Sequence, residues 1–294
     1  MEPKWGRLIT AMVTPFTSKN EVDYKEAVRL GEFLVKNGSE TLLLAGTTGE
    51  CPTLTHEEEY ELFKTMVQAF QGKAFIMAGA GSNSTATAVK SSQNAETLGV
   101  DLLLQVVPYY NKPSQEGLYQ HFKAIAENTH LPIIIYNIPG RTARNMEPET
   151  MARLSEIPNI CGVKESAGSV EQMAAINKLT PDDFLIYSGD DSMTLSFMEK
   201  GACGVISVAS HCAGLKIKKM IELYVLGKKK EAREVEAELE ELFQVLFIAP
   251  NPIPVKAALT MMGFSVGMPR LPLVGATEEE QNAVRACLER LKVI

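Results

Sequence analysis

The chain contains the stretch Cys161-Gly162-Val163-Lys164-Glu165-Ser166, a strand-like apolar segment with a charged side chain near its centre. Burial disfavours the ammonium form of lysine, so a lysine that faces a closed interior has a lowered pKa and can present a free amine to a carbonyl compound. The alternative is a lysine at a strand end that reaches solvent or pairs with an acid. The surrounding segments decide between these two interpretations.

Eight short β-rich runs, of which this stretch is the sixth, alternate with amphipathic helical segments. The runs are residues 8–16, 41–45, 74–78, 102–107, 133–137, 160–164, 184–188 and 204–208. The helical segments, several with a Ser, Thr or Asp start signal, include residues 23–36, 56–70, 84–98, 114–128 and 170–179. Such alternation requires parallel strands with right-handed crossovers, and eight units close into a (β/α)8 TIM barrel, an α/β fold.

A doubly wound sheet is the competing α/β fold. It is expected to carry a Gly-x-Gly-x-x-Gly turn after its first strand, whereas Thr14, Pro15 and Phe16 end the first run here. Beyond about Gly227 the pattern changes to helices only, at residues 228–247, 253–262 and 277–291. We therefore predict a catalytic barrel over residues 1–227 and a C-terminal helical region over 228–294, which we expect to support assembly rather than chemistry.

Composition excludes several classes of function. The chain has 294 residues, 45% of them hydrophobic, which is close to one α/β barrel with an appendage. A net charge of −7 argues against a nucleic-acid partner. Four histidines without a metal-ligand pattern and five scattered cysteines predict no metal and free thiols in a reducing compartment. Without a signal peptide or an apolar run of about 20 residues, we expect a cytoplasmic protein with no membrane partner.

Reactive groups in such a barrel gather at the carboxyl ends of the strands. The residues found there are Thr47 and Thr48 after strand two, Tyr109 and Tyr110 after strand four, Tyr136 on strand five, Lys164 on strand six and Gly189 after strand seven. Because side chains alternate along a strand, an inward Lys164 directs Glu165 toward the helices. Tyr136 could then donate and accept protons, and the alternative is a core aromatic with a hydrogen-bonded tip.

Two loops offer groups that suit a carboxylate. Residues 46–50, Gly-Thr-Thr-Gly-Glu, combine two hydroxyls with backbone N–H groups that could hold a small anion, and they could equally form an ordinary tight turn. Arg141 follows strand five and suits bidentate binding of a carboxylate. The ordinary alternative is a surface arginine.

Four segments carry a resemblance to a known family. They are residues 46–50 (GTTGE), 109–113 (YYNKP), 136–142 (YNIPGRT) and 162–165 (GVKE). In order and spacing they resemble the dihydrodipicolinate synthase family, within the pyruvate-dependent Schiff-base aldolase and lyase superfamily. The resemblance extends from Gly6 through about Leu273 and implies an enzyme that needs no cofactor.

The resemblance implies a role for each matched residue. Lys164 would form an imine, while Tyr136, Thr47 and Tyr110 would form a hydroxyl relay, with Tyr110 donated across a subunit interface. The other matched positions would bind substrate: Thr47 and Thr48 the carboxylate of pyruvate, Arg141 that of the second substrate, and Gly189 and Ile206 the pyruvate pocket through backbone groups. A shared Tyr110 further implies a homotetramer built as a dimer of dimers.

The implied reaction is condensation of pyruvate with L-aspartate β-semialdehyde to give 4-hydroxy-tetrahydrodipicolinate, in the diaminopimelate and lysine pathway. N-acetylneuraminate lyase and 2-keto-3-deoxy sugar acid aldolase share Lys164 and Tyr136 and are the nearest alternatives. Thr47, Tyr110 and Arg141 favour the synthase, since the lyase pattern usually has Ser at the first hydroxyl position and lacks that arginine. The intact set of reactive residues disfavours a non-catalytic barrel that binds a metabolite.

Feedback by L-lysine occurs in many members of this family, through an asparagine, a tyrosine, one or two histidines and a glutamate at the dimer interface. His56, Asn83 and Tyr109 match this pattern. Glu59 stands at the position of the second histidine, and Thr87 at that of the glutamate. A neutral hydroxyl in place of a charged acceptor loses roughly 1–2 kcal/mol, so we predict weak or absent inhibition, with Glu59 as a partial substitute.

Overall fold

In the computed structural model, which describes residues 3–294, eight parallel strands close into one barrel in chain order. The strands are β1 (Leu8–Ala11), β2 (Thr41–Leu44), β3 (Phe75–Gly79), β4 (Leu102–Val106), β5 (Ile133–Asn137), β6 (Ile160–Glu165), β7 (Leu185–Ser188) and β8 (Gly204–Ser207). Pairing of β1 with both β2 and β8 closes the cylinder, with Ile9 opposite Thr41 on one side and Ile206 on the other. The predicted (β/α)8 barrel is confirmed.

Twelve α-helices are present in the described part of the chain. They are α1 (Tyr24–Lys36), α2 (His56–Phe70), α3 (Thr85–Thr97), α4 (Gln115–Ala126), α5 (Pro139–Thr142), α6 (Pro148–Ser155), α7 (Val170–Leu179), α8 (Thr194–Met198), α9 (Ser210–Val225), α10 (Lys229–Val245), α11 (Ile253–Met261) and α12 (Glu278–Arg290). Asp23, Ser84 and Ser114 cap α1, α3 and α4 by accepting a backbone N–H of the first turn. The polar start signals in the sequence therefore predicted the beginnings of these three helices correctly.

Some boundaries differ from those predicted. The first strand ends at Ala11 rather than at residue 16. Pro15, which has no N–H to donate, could not have continued a ladder in any case, and Phe16 makes only an isolated bridge with Val22. The helical segments given from the sequence do not include α5 and α8, which are too short to show a period. They also do not include α6, only eight residues long, and α9, in which Ala213 has a non-helical backbone.

The strands divide the core into two parts, because alternate side chains face opposite sides of the sheet. One cluster packs the strands against the helices. The other fills the barrel interior and includes Ile9, Leu43, Ile134, Tyr136, Tyr187 and Ile206. Tyr136 and Lys164 are register partners on β5 and β6, so both side chains point to the interior. No helix in residues 3–294 has the length and apolarity needed to cross a membrane.

The C-terminal helices begin where the barrel ends and then return to it. Helix α10 packs on α9, while α12 packs on both α10 and α11. The intervening segments reach the loop after β2: the Asn251 side chain contacts Thr48, and the backbone N–H of Arg270 donates to Glu50. The boundary proposed at Gly227 stays a prediction, and the region beyond it contacts a loop that the sequence associates with substrate.

Candidate active site

Lys164 lies near the carboxyl end of β6, inside the barrel. Only 5% of its surface is exposed, and its Nζ lies 4.3 Å from the centre of the Tyr136 ring. Burial lowers the pKa of Lys164 to about 8; the charge of Asp191 opposes this shift, and that of Arg141 adds to it. At mildly alkaline pH a large fraction of Lys164 is therefore the free amine, which is the nucleophilic form.

Tyr136 faces Lys164 from the neighbouring strand. Burial raises the pKa of the Tyr136 hydroxyl to about 12, although Arg141, Thr47 and Ser166 act in the opposite direction. The phenol is therefore protonated at physiological pH and can donate or accept a hydrogen bond. Ser166 Oγ is buried and makes no well-aligned hydrogen bond within residues 3–294, so its hydroxyl is free to turn toward Tyr136.

Gly189 follows β7 and forms one wall beside the lysine. A Cβ at this position would overlap the Ser166 hydroxyl oxygen and come within 3.0 Å of Lys164 Cε. Only glycine leaves this space open next to the amine. Ile206 of β8 lies in the same interior cluster as Tyr136 and is fully buried.

The loop of residues 46–50 places two hydroxyls at the carboxyl end of β2. Thr47 lies close to Tyr136, and its hydroxyl acts to lower the pKa of the Tyr136 phenol. Thr48 is buried, and its Oγ1 accepts a hydrogen bond of 2.9 Å from Asn251 Nδ2, so its own hydrogen stays available for an anion. Gly49 lies close to the end of β2, because a Cβ there would be 3.0 Å from the backbone N of Ala45 and would require a small shift of the backbone. The loop is thus tightly packed on its far side and polar toward the barrel mouth.

Arg141 stands on the short helix α5, directly after β5. Pro139 begins this helix, and the Thr142 hydroxyl donates to the carbonyl of Ile138, which fixes the turn. The guanidinium forms no ion pair with a carboxylate among the described residues. Together with Thr47 and Tyr136 it lines a cavity of about 480 Å³ at the carboxyl end of the barrel. An unpaired arginine in such a cavity is suited to bind a carboxylate.

Comparison with known proteins now identifies the family. The sequence model of the dihydrodipicolinate synthetase family matches residues 4–291. The chain belongs to this family. A 4-hydroxy-tetrahydrodipicolinate synthase from Moorella thermoacetica is 54% identical over 286 residues, which cover 97% of this chain and 98% of that protein.

Solved structures of dihydrodipicolinate synthases (DHDPS) have the same fold. A crystal structure of DHDPS from Cyanidioschyzon merolae with lysine bound has a TM-score of 0.98 and 47% identity, and the alignment covers 100% of both chains. A monomeric dihydrodipicolinate synthase variant has a TM-score of 0.96 and 41% identity over 98% of this chain and 97% of its own. The likeness to the dihydrodipicolinate synthetase family thus includes the C-terminal helices as well as the barrel.

Tyr110 is the one predicted relay residue that lies apart from the others within a single chain. Its side chain is 89% exposed and does not line the cavity, whereas the adjacent Tyr109 does. The backbone of Tyr110 has φ +72°, a left-handed conformation that is costly for a bulky residue. At this exposure the Tyr110 side chain makes little contact with the rest of its own subunit.

The residues matched to the lysine-binding pattern do lie together. His56, Glu59, Thr87 and Tyr109 line the same cavity as Thr47. Asn83 Nδ2 donates to the carbonyl of Tyr109 over 3.2 Å. His56 Nδ1 lies 3.0 Å from Glu59 Oε2, and burial raises the pKa of this glutamate. The histidine and the carboxylate therefore pair with each other.

Sequence reasoning missed three polar groups near the site. Asp191 follows β7, is fully buried, and uses Oδ2 to accept the N–H groups of Val208 and Ala209. Its position after a strand end was the available signal. Ser166 lies two residues after Lys164, so the alternation of side chains along the strand was the available signal. Asn251 had no local signal, because its partner Thr48 lies 203 residues away.

Glu165 confirms the predicted alternation on β6. It points away from Lys164 and accepts hydrogen bonds from Asn137 Nδ2, at 3.0 Å, and from the N–H of Ala167, at 2.7 Å. Gln172 of α7 approaches the same carboxylate. This network lies on the helix-facing side of the strands and fixes β5 against β6, where Tyr136 and Lys164 are opposite each other.

A larger cavity lies elsewhere in the molecule. It measures about 890 Å³ and is lined by Gly38, Glu40 and Lys218 together with residues that precede β2 and β3, so it lies at the amino ends of the strands. None of the residues selected from the sequence lines it. In barrels of this fold the amino end contributes to stability and the carboxyl end to catalysis. Within residues 3–294, no group of three or more His, Cys, Asp or Glu side chains is arranged to hold a metal ion.

Proposed function

We propose that the chain condenses pyruvate with L-aspartate β-semialdehyde to 4-hydroxy-tetrahydrodipicolinate through a lysine Schiff base. The observation that carries this proposal is the buried Lys164 amine, with a pKa lowered to about 8, beside the Tyr136 phenol and the Thr47 hydroxyl. Family membership supports the same reaction. The chemistry belongs to lysine and diaminopimelate biosynthesis.

In this reaction the neutral Lys164 amine attacks the ketone carbon of pyruvate. Tyr136 donates a proton to the departing hydroxyl, so that water leaves and an imine remains. Loss of a methyl proton gives an enamine, whose carbon attacks the aldehyde. The amino group of the second substrate then displaces Lys164, and cyclisation releases the product with the lysine regenerated. Thr47 connects Tyr136 to the loop, where the partner subunit's Tyr110 would continue the relay.

Substrate carboxylates have two proposed sites. Thr47 and Thr48 bind that of pyruvate, supported by the free Thr48 hydroxyl hydrogen, and Arg141 binds that of the aldehyde substrate. Gly189 and Ile206 form the wall of the pyruvate pocket, since any side chain at Gly189 would fill the space beside Lys164.

The decisive experiment is reduction with borohydride in the presence of pyruvate, followed by mass analysis of the labelled peptide. We expect one pyruvate adduct, on Lys164. An adduct elsewhere, or none, would contradict the proposal. A coupled assay with aspartate semialdehyde and with sugar aldehydes then separates this reaction from N-acetylneuraminate lyase and 2-keto-3-deoxy sugar acid aldolase activity, for which the adduct would be identical.

We further propose a homotetramer, a dimer of dimers in which Tyr110 enters the neighbouring site. The 89% exposure of Tyr110 and its left-handed backbone support an isologous contact at this position. A monomeric variant exists among the related synthases, so the test is direct: sedimentation of an active sample should give a tetramer, and a fully active monomer would exclude the shared site. The scattered cysteines are the basis for proposing a cytoplasmic location.

A further inference from the structure

A second lysine, outside the proposed pyruvate site, is also buried. Lys256 of α11 is 2% exposed, and its Nζ lies 2.6 Å from Glu50 Oε1, which is itself almost fully buried. The ammonium also lies 4.1 Å from the centre of the Phe16 ring. This is an ion pair between the C-terminal helices and the last residue of the loop 46–50.

Glu50 ends that loop in an unfavourable backbone conformation. Its φ is +59°, and Ala45, which precedes the loop, has φ +48°. Non-glycine residues keep such left-handed conformations only where the surrounding structure holds them. Glu50 is held at both carboxylate oxygens, because Oε2 accepts the N–H of Arg270 at 2.8 Å while Oε1 meets Lys256.

Glu50 is hydrogen-bonded within the loop to Thr47, one of the two threonines proposed to bind pyruvate. The N–H of Glu50 donates to the carbonyl of Thr47 over 3.1 Å, and Asn251 holds Thr48 over 2.9 Å. The Thr14 hydroxyl fixes the carbonyl of Gly49 at 2.6 Å. A displacement of Glu50 would therefore move Thr47, the residue that contacts Tyr136.

We propose that the buried Glu50–Lys256 ion pair is a positioning device that holds Thr47 and Thr48 in place for the keto-acid carboxylate, which makes helix α11 part of the active site. This inference rests on the proposed pyruvate site. A buried charge that loses its partner is strongly destabilised, so removal of either member forces the other to find a new partner or water. When Lys256 is removed, Glu50 must move, and it carries the loop with it.

The test compares Lys256→Met with Leu239→Ala, a change in the fully buried face of α10 away from the loop. Lys256→Met should raise the KM for pyruvate, measured by borohydride trapping at varied pyruvate, by about 10-fold or more. The pH dependence of trapping, which reports on Lys164, should stay the same. Leu239→Ala lowers thermal stability without a change in this KM.

Two further measurements keep the inference open to refutation. Hydrogen exchange in peptides covering residues 46–53 should accelerate in Lys256→Met relative to Leu239→Ala, a readout that needs no substrate. The double variant Lys256→Met with Glu50→Gln, which leaves no unpaired charge, should recover much of the pyruvate affinity. If Lys256→Met does not fold, Glu50→Gln alone replaces it in the same comparison.

The outcomes separate the two proposals. Equal exchange in the 46–53 peptides of Lys256→Met and Leu239→Ala would overturn the positioning role, whatever the enzyme binds. Trapping with an unchanged KM would overturn it as well and would leave the proposed reaction intact. Wild-type protein that forms no adduct would refute the proposed reaction, and the exchange comparison would still decide the role of the ion pair.

Discussion

Lys164 and Lys256 are two buried lysines in one chain with opposite surroundings. Each lies over an aromatic ring, Tyr136 at 4.3 Å and Phe16 at 4.1 Å, and burial lowers the pKa of each to about 8. Lys256 has the Glu50 carboxylate at 2.6 Å, which favours its charged form. No carboxylate among the described residues is within ion-pair distance of Lys164. Burial alone therefore does not identify a nucleophile. What identifies it is that no carboxylate pairs with the amine and that a proton donor lies beside it.

The largest effect is expected from deletion of the unpaired amine. Lys164→Ala should abolish the reducible pyruvate adduct, because no other amine in the site can form it. Mass analysis after borohydride treatment measures this directly, with Leu239→Ala as a folded control. Adduct formation on Lys256 in the variant would show that the two lysines are chemically equivalent and that the comparison is wrong.

A single substitution, Tyr136→Phe, places a phenylalanine ring beside both lysines. Tyr136→Phe gives Lys164 the ring that Lys256 has, without the hydroxyl. We expect turnover to fall by roughly 10²–10⁴, the range for loss of general acid–base catalysis, while the amine is retained and still forms the adduct slowly. Steady-state rates and trapping kinetics test this, and full activity of the variant would exclude the relay.

Replacement of Lys164 and replacement of Lys256 should change the free energy of unfolding in opposite directions. Lys164→Met removes an ammonium that the fold disfavours, so at pH 7 the variant should be more stable than wild type by roughly 3 kcal/mol. Lys256→Met also removes a disfavoured ammonium, but it leaves Glu50 buried without a partner; this cost is larger, so the variant should be less stable by about 3–5 kcal/mol. Urea unfolding measures both changes. Two variants that shift stability in the same direction would contradict the assignment of partners.

The stability gained in Lys164→Met should depend on pH, because the pKa of Lys164 is lower in the folded state than in the unfolded state. The pKa of Lys164 is about 8 in the folded state and 10.5 when unperturbed, so between these values the unfolded chain binds more protons than the folded one. Wild-type stability therefore rises with pH over this window, and the advantage of Lys164→Met should disappear toward pH 10.5. An advantage that stays constant across this window would mean that Lys164 is not a neutral amine when folded.

A free L-lysine ligand would bring a third ammonium group into the protein, besides those of Lys164 and Lys256. At the position of Thr87 it would meet a neutral hydroxyl where other family members supply a carboxylate, and Glu59 is already paired with His56 at 3.0 Å. We predict weak or absent inhibition, with a loss of roughly 1–2 kcal/mol in binding. Strong inhibition at submillimolar lysine would be the contrary result, and Thr87→Glu should strengthen binding if the reasoning is correct.

The smallest expected effect concerns the charges around Lys164. Asp191 raises the pKa of Lys164 and Arg141 lowers it. Asp191→Asn should therefore move the pH profile of pyruvate trapping to lower pH, and Arg141→Gln should move it to higher pH. A shift of both profiles in the same direction would mean that the two charges do not act on the amine as described.

The sequence by itself determined the barrel and the inward direction of its reactive groups. Eight β-rich runs alternate with helices, and the period of two along β6 separates Lys164 from Glu165, as the structure confirms. The polar caps at Asp23, Ser84 and Ser114 also begin helices as predicted. These features depend on neighbours within a few residues, which a single chain displays directly.

Tertiary structure alone decided which groups hold the site in place. The partners of the loop 46–50 are Asn251, Lys256 and Arg270, about 200 or more residues away in sequence. The motif at residues 162–165 singles out Lys164 by resemblance, but no local signal shows that Lys256, in a predicted helix, is buried against a carboxylate. Whether such a lysine becomes a nucleophile or an ion pair depends on which carboxylate the fold brings within a few ångströms, and that distance exists only after the barrel closes.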